Sequence, residues 1–192
     1  MSQFFTRAAE RKTFFFRAIA FMGLLSFLLG LAGCDPQKIA ELEEGVSTEA
    51  DVRTRFGEPE KIWSAADMTS TPLPGAAAAP GATTLEYNRQ PEGMTNYMIT
   101  IGADGKMTAL RQVLNPQTFA KVLPGMPMEI VRKMLGKPMK VTPYRLKQQT
   151  AYDWRYLNPP NTAMIFTVVF DADLRVTGSG SVEEALTSPK GG

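Results

Sequence analysis

The 192-residue chain has no histidine and a single cysteine, Cys34. Without imidazole it lacks the commonest general base and the commonest transition-metal ligand. A zinc site would need Asp and Glu oxygens almost alone, a weak donor set for that ion. One thiol cannot close an intrachain disulfide. Asp171 and Asp173 offer oxygens of the kind calcium takes, but no acidic run or EF-hand spacing accompanies them, so they read as a turn. Gly178-Ser179-Gly180-Ser181 matches neither a G-x-S-x-G nucleophile elbow nor a G-x-G-x-x-G phosphate loop. Glu43-Glu44 and Glu183-Glu184 read as solvated charges. The expectation is a non-enzyme with no catalytic residue, no metal and no cofactor.

Aromatic side chains are the remaining candidates. Tyr152, Trp154 and Tyr156 fall on one face of an extended segment, with Ala151, Asp153 and Arg155 on the other. Such rings either fill a core or anchor a protein partner, and core filling is the commoner role. Trp154 and Tyr156 are kept as candidate partner contacts. Trp63 joins them, because no apolar rhythm surrounds it.

The formal charge of +2 is unevenly spread. Arg7, Arg11, Lys12 and Arg17 against Glu10 give the first 33 residues +3, which leaves the rest near −1. A near-neutral body has no basic footprint for phosphates, so nucleic acid is excluded as a partner.

Behind the basic start, Ala18 to Leu31 form an apolar run of about 14 residues, short for a membrane span and of secretory-signal length. Leu31-Ala32-Gly33-Cys34 then resembles the lipobox of bacterial lipoproteins at every position. The resemblance implies cleavage before Cys34, diacylglycerol on its sulfur and an acylated new amino group. Several acyl chains hold a protein on a bilayer far better than one. The competing reading is an uncleaved anchor with Cys34 as a small buried residue. Asp35 is the kind of residue that retains some lipoproteins in the inner membrane, while Pro36 is not a strong retention partner.

The remainder reads as a repeat. Asp35-Pro36 caps and opens a short helix with Ile39 and Leu42 as its stripe; Asn115-Pro116 does the same for Phe119 and Val122. Gly45 and Gly125 are expected to close these helices. A second helix follows each time. Thr48 to Asp51 is a capping-box start with Val52 and Phe56 on one face, and Gly57-Glu58-Pro59 stops it. Later, Pro127 opens, Val131, Met134 and Leu135 line the buried face, and Gly136-Lys137-Pro138 stops. The copies differ by one residue, placed within this helix. Strand patterns come next: 83–88, then Tyr97, Ile99 and Ile101 to an Asp104-Gly105 turn, with Met107 and Leu110 returning. The later copy offers 151–157, then Phe166, Val168 and Phe170 to a turn at Asp171–Asp173, then Val176. Gly178 to Gly180 are expected to fray.

The predicted fold is α+β: two tandem helix–helix–strand–strand–strand units, helices on one face of an antiparallel sheet. The expected organisation is a signal peptide at 1–33, unit one at 34–113 with a flexible Pro/Ala-rich loop at 69–83, unit two at 114–183 and a flexible tail at 184–192.

Gly125 to Pro138 resembles the G-M-[ST]-x-x-x-V-x-x-L-L-G-x-P helix of the SmpA/OmlA (BamE-like) family, and Gly45 to Pro59 carries it with one extra residue. Trp154-Arg155-Tyr156 and Phe170-Asp171 resemble that family's W-x-Y and F-[DN] features. Tandem copies are also similar to the β-lactamase inhibitory protein architecture. The resemblance implies a lipoprotein on the periplasmic face of the outer membrane, with the inner membrane as the alternative set by Asp35. It implies membrane attachment through Cys34 and a periplasmic or outer-membrane protein partner, such as the barrel-assembly machine. The expected role is a scaffold in outer-membrane protein assembly or envelope integrity; the alternative is a binding or inhibitory module for another periplasmic protein.

Overall fold

A computed structural model describes residues 39–69 and 80–187. The chain divides into two units, Met1–Glu41 and Leu42–Gly192. In the first, Ile39 and Ala40 are helical. The lipobox Leu31, Ala32, Gly33 and Cys34, and most of the Pro/Ala-rich loop, lie outside the described residues.

The second unit holds two four-stranded antiparallel sheets and a few short helices, an α+β fold. Its first half runs α1 (Glu49–Phe56), β1 (Lys61–Ser64), α2 (Ala65–Thr69), β2 (Thr83–Asn88), β3 (Asn96–Ile101) and β4 (Met107–Gln112). Its second half runs α3 (Pro116–Phe119), α4 (Met128–Leu135), β5 (Lys140–Tyr144), a 3₁₀ turn (Arg145–Lys147), β6 (Gln149–Asn158), β7 (Thr162–Phe170), β8 (Val176–Glu183) and α5 (Glu184–Thr187). Strand order follows the chain in both sheets. The expected boundary at 113/114 falls between β4 and α3.

The caps form as the residue types dictate. Thr48 and Asp51 make a reciprocal capping box at α1, with the Thr48 amide 2.8 Å from the Asp51 carboxylate. The same contacts hold the Asp51 carboxyl below the usual carboxylate range, the backbone bond from Thr48 foremost. Asn115 caps α3 through the Thr118 amide at 2.9 Å, with Pro116 at the first position.

Four expectations need correction. Each sheet gains a first strand, β1 or β5, beside the three that the patterns indicated. Both are short and follow Pro59 or Pro138, so they carry little period-2 signal. Gly45 and Gly125 do not close the short helices: α3 ends at Ala120. Both glycines turn the chain with positive φ (82° and 81°) so that their amides reach the fourth strand, at Met107 O (2.7 Å) and Val176 O (2.8 Å). The extra residue of the first copy lies before the Thr48 cap, in the turn, because α1 and α4 are both eight residues long. Gly178 and Gly180 are paired β8 residues opposite Val169 and Thr167.

The two sheets share one pairing scheme. The third and fourth strands carry a register shift at Thr100/Ile101 and at Val169/Phe170, one residue before their last pair. Counting from there, Glu86↔Met98 matches Asp153↔Thr167, and Lys61↔Glu86 matches Lys140↔Asp153. Lys61 and Lys140 each lie four residues past the helix-stopping glycine, Gly57 or Gly136, whose φ/ψ values are also alike (83°/−160° and 76°/−172°). Residues matched in this way point to the same side of their own sheet.

On the first sheet, Leu85, Tyr87, Tyr97 and Ile99 face α1, where the Phe56 ring meets Tyr87 and Tyr97 at 5.1 and 5.4 Å. Tyr87 donates to Gly57 O at 3.0 Å, and burial pushes its phenol up to about 12. On the second sheet, Trp154, Tyr156, Phe166, Val168 and Phe170 face α3 and α4. Phe119 stacks on Phe166 at 4.0 Å, and the Trp154 indole donates to Gly136 O at 3.0 Å. Met98, Val113 and Leu114 from the first half complete this core.

Candidate functional site

Helix α4 is buried on two sides. Val131 and Leu135 belong to the second-sheet core, while Arg132 and Lys133 point to the first sheet. There the fully buried Glu86 accepts from Arg132 Nη1 (2.9 Å), the Lys137 amide (2.7 Å) and the Trp63 indole N–H (3.1 Å). Asn96, equally buried, donates to Leu135 O (2.8 Å) and Lys137 O (3.1 Å), the carbonyls that the end of α4 leaves open. Lys133 is buried beside Trp63, pairs with Glu129 at 3.0 Å and donates to Asp67 O. Lys137 also pairs with Glu60. Burial alone would raise the Glu60 carboxyl, but hydrogen bonds from Lys137 and Asn88 outweigh it and lower the pKa.

This constellation is a clasp between the first sheet and α4. Three donors occupy the Glu86 carboxylate and none of it meets solvent, so its contacts are those of a structural clasp. Gln90 adds a second clasp by copying a strand edge: its Oε1 accepts from the Arg155 amide (3.1 Å) and its Nε2 donates to Arg155 O (2.7 Å).

The aromatic candidates belong to these interiors. Trp63 and Tyr156 are 3% exposed and Trp154 is 0% exposed, so none of the three rings is presented to a partner. Trp63 is tied to Glu86, Trp154 to the end of α4, and Tyr156 meets Phe119 edge-on at 4.7 Å. Asp171 forms the expected turn, its Oδ1 accepting from the amides of Asp173 (3.0 Å) and Arg175 (2.9 Å). Among the described residues no group of three or more His, Cys, Asp or Glu side chains is placed to hold a metal ion, and no helix is long and apolar enough to cross a membrane.

The register match brings out a contrast that patterns alone could not. The first-sheet face carrying Trp63, Thr84, Glu86, Asn96 and Met98 is buried. Its counterpart on the second sheet carries Thr142, Ala151, Asp153, Ile165 and Thr167. Here only Ala151 is fully buried; the others are half-buried. Leu157 and Val182 on this face are 44% and 46% exposed, and a Cβ added at Gly178 or Gly180 would meet open space. Asp153 bonds Thr167 Oγ1 at 2.7 Å, and Arg155 bonds Glu184 at 2.7 Å. The result is a shallow floor of apolar residues and glycines with one acid and one ion pair.

No protein-family model and no curated protein matches the chain. Among solved structures it is similar to a DUF4309 family protein (YjgB) from Bacillus subtilis subsp. subtilis str. 168. The identity is 18% over 75% of this chain and 83% of that one, with a TM-score of 0.26. At that score the likeness carries no statement about function.

Proposed function

We propose that the chain is a non-enzymatic, lipid-anchored protein-binding lipoprotein of the bacterial envelope, and that its partner docks on the open face of the second sheet. One observation carries the choice of surface: the matched face of the first sheet holds a helix, α4, whereas among the described residues no helix covers the second-sheet face around Asp153, apart from α5 at its Glu184 end. Glu86 meets Arg132 on the covered face, so Asp153 is the residue that a basic side chain of an incoming helix would meet. In this reading the body is a tandem duplication of one helix-on-sheet unit, supported by the matched registers, elbows and glycine turns. The lipobox supports anchoring at Cys34 and a periplasmic position on the outer membrane, with Asp35 pointing to the inner membrane as the alternative.

The SmpA/OmlA-like helix motif favours a scaffold role in outer-membrane protein assembly. The open sheet face equally suits an inhibitory module. A photo-cross-linking residue at Gly180, where added bulk is free, separates the two in intact cells. Adducts with barrel-assembly subunits support the first, and adducts with one soluble periplasmic enzyme support the second. Asp153→Arg is expected to reduce either adduct about tenfold, the equivalent of one lost charge-assisted contact. An adduct yield at Gly180 no higher than at the exposed Val46, or one unmoved by Asp153→Arg, would overturn the docking face. A mature chain without lipid mass at Cys34 would overturn the anchor.

A further inference from the structure

The β5–β6 hairpin joins a basic stretch to a fully exposed apolar residue at its tip. Between Leu135 and Asp153 the chain carries Lys137, Lys140, Arg145 and Lys147 and no Asp or Glu. Lys137 is spent on Glu60, but Lys140, Arg145 and Lys147 make no ion pair among the described residues. Asp153, directly across from Lys140, is the nearest acid by register and is bonded to Thr167. At the apex the 3₁₀ turn Arg145–Lys147 closes with Gln148 in the left-handed region, its amide bonded to Arg145 O at 3.2 Å. That turn holds Leu146 wholly in solvent at 103% relative exposure, between two cations and beside the half-exposed Tyr144.

We propose that this tip docks on an anionic lipid surface, with Leu146 entering the acyl boundary and Arg145 and Lys147 lying at the headgroups. A polyanion in water, such as nucleic acid or an acidic protein surface, would satisfy the cations but leave Leu146 wet. A bilayer takes both kinds of group at once, since it pairs a negative surface with an apolar interior a few ångströms below. Tyr144 suits the boundary between them, with an apolar ring and a polar tip. The proposal is independent of the docking face on the second sheet.

Because the apolar run 18–31, or the lipid that the proposed function places on Cys34, would itself bind vesicles, bulk vesicle binding does not report on the tip. The readout is therefore local. A fluorescent amino acid replaces Leu146 in the full chain, reconstituted with vesicles of brominated phosphatidylcholine with or without phosphatidylglycerol. Leu174, exposed in another turn, carries the same label as a control. A blue shift and bromine quenching at position 146, absent at 174 and dependent on phosphatidylglycerol, are expected. Arg145→Glu with Lys147→Glu should reduce the quenched fraction at least tenfold, since each basic residue near an anionic surface contributes about fivefold. Three results would overturn the proposal. These are an aqueous spectrum at 146 in phosphatidylglycerol vesicles, equal quenching at 146 and 174, or a shift at 146 produced by soluble RNA and not by vesicles.

Discussion

Glu86→Ala is expected to destabilise the fold by about 3 kcal/mol, at the low end of the roughly 3–5 kcal/mol that follows when one member of a buried ion pair is removed. The substitution leaves Arg132, the Trp63 indole N–H and the Lys137 amide without their common acceptor. Arg132 keeps a fifth of its side chain in solvent and regains some water, which sets the low end. For a small domain with about 5–15 kcal/mol in total, that loss is large. Denaturant titration followed by tryptophan fluorescence measures it directly, because Trp63 sits on the lost carboxylate. The companion variant Glu86→Leu with Arg132→Met should recover only part of the loss: it removes the desolvation cost of the pair but still leaves the Trp63 indole N–H and the Lys137 amide without an acceptor. If Glu86→Ala shifted the midpoint no more than a surface substitution, the clasp would not hold the first sheet to α4.

Gly136→Ala should cost clearly more than Gly57→Ala, although the two glycines share one backbone conformation. Both have φ near +80° and ψ near 180°, a region almost closed to side chains, so each substitution carries about 1–3 kcal/mol of strain. Their surroundings differ. A Cβ at Gly57 meets nothing within 4 Å, whereas one at Gly136 would lie 2.9 Å from Asn96 Nδ2 and 3.3 Å from Glu86 Oε1. The alanine methyl therefore pushes into the clasp and loosens hydrogen bonds whose loss adds about 1–3 kcal/mol. Thermal unfolding of the two variants side by side cancels the shared strain. Equal destabilisation would mean that the Gly136 elbow is not packed against the first sheet.

These effects also mark where the sequence stopped being legible. The caps at Thr48 and Asn115, the helix ending at Gly136 and the alternation of Tyr97, Ile99 and Ile101 could be read because each depends on neighbours within a few residues. Strands β1 and β5 were missed because four or five residues beside prolines carry no period. Yet Gly57-Glu58-Pro59-Glu60-Lys61 and Gly136-Lys137-Pro138-Met139-Lys140 align without a gap, and that was the available signal. Glu86, Asn96 and Lys133 gave no local sign of burial. A single-sided sheet would turn Glu86 to water; it is buried because a helix encoded more than 40 residues later covers that face. Trp63 looked unattached for the same reason, its partner Glu86 lying 23 residues on. The open face of the second sheet became visible only once the registers of the two sheets could be matched.

Carbene footprinting of the full chain, first purified and then in intact cells, tests the docking face most directly. The apolar side chains Ile165, Val169 and Val182 should label in the purified protein and lose most of that label in cells. Met98 and Ile99 should stay dark in both, and Leu123, exposed elsewhere, should label equally in both. Equal labelling of Ile165, Val169 and Val182 in the two settings would contradict the proposal that a partner covers the second sheet.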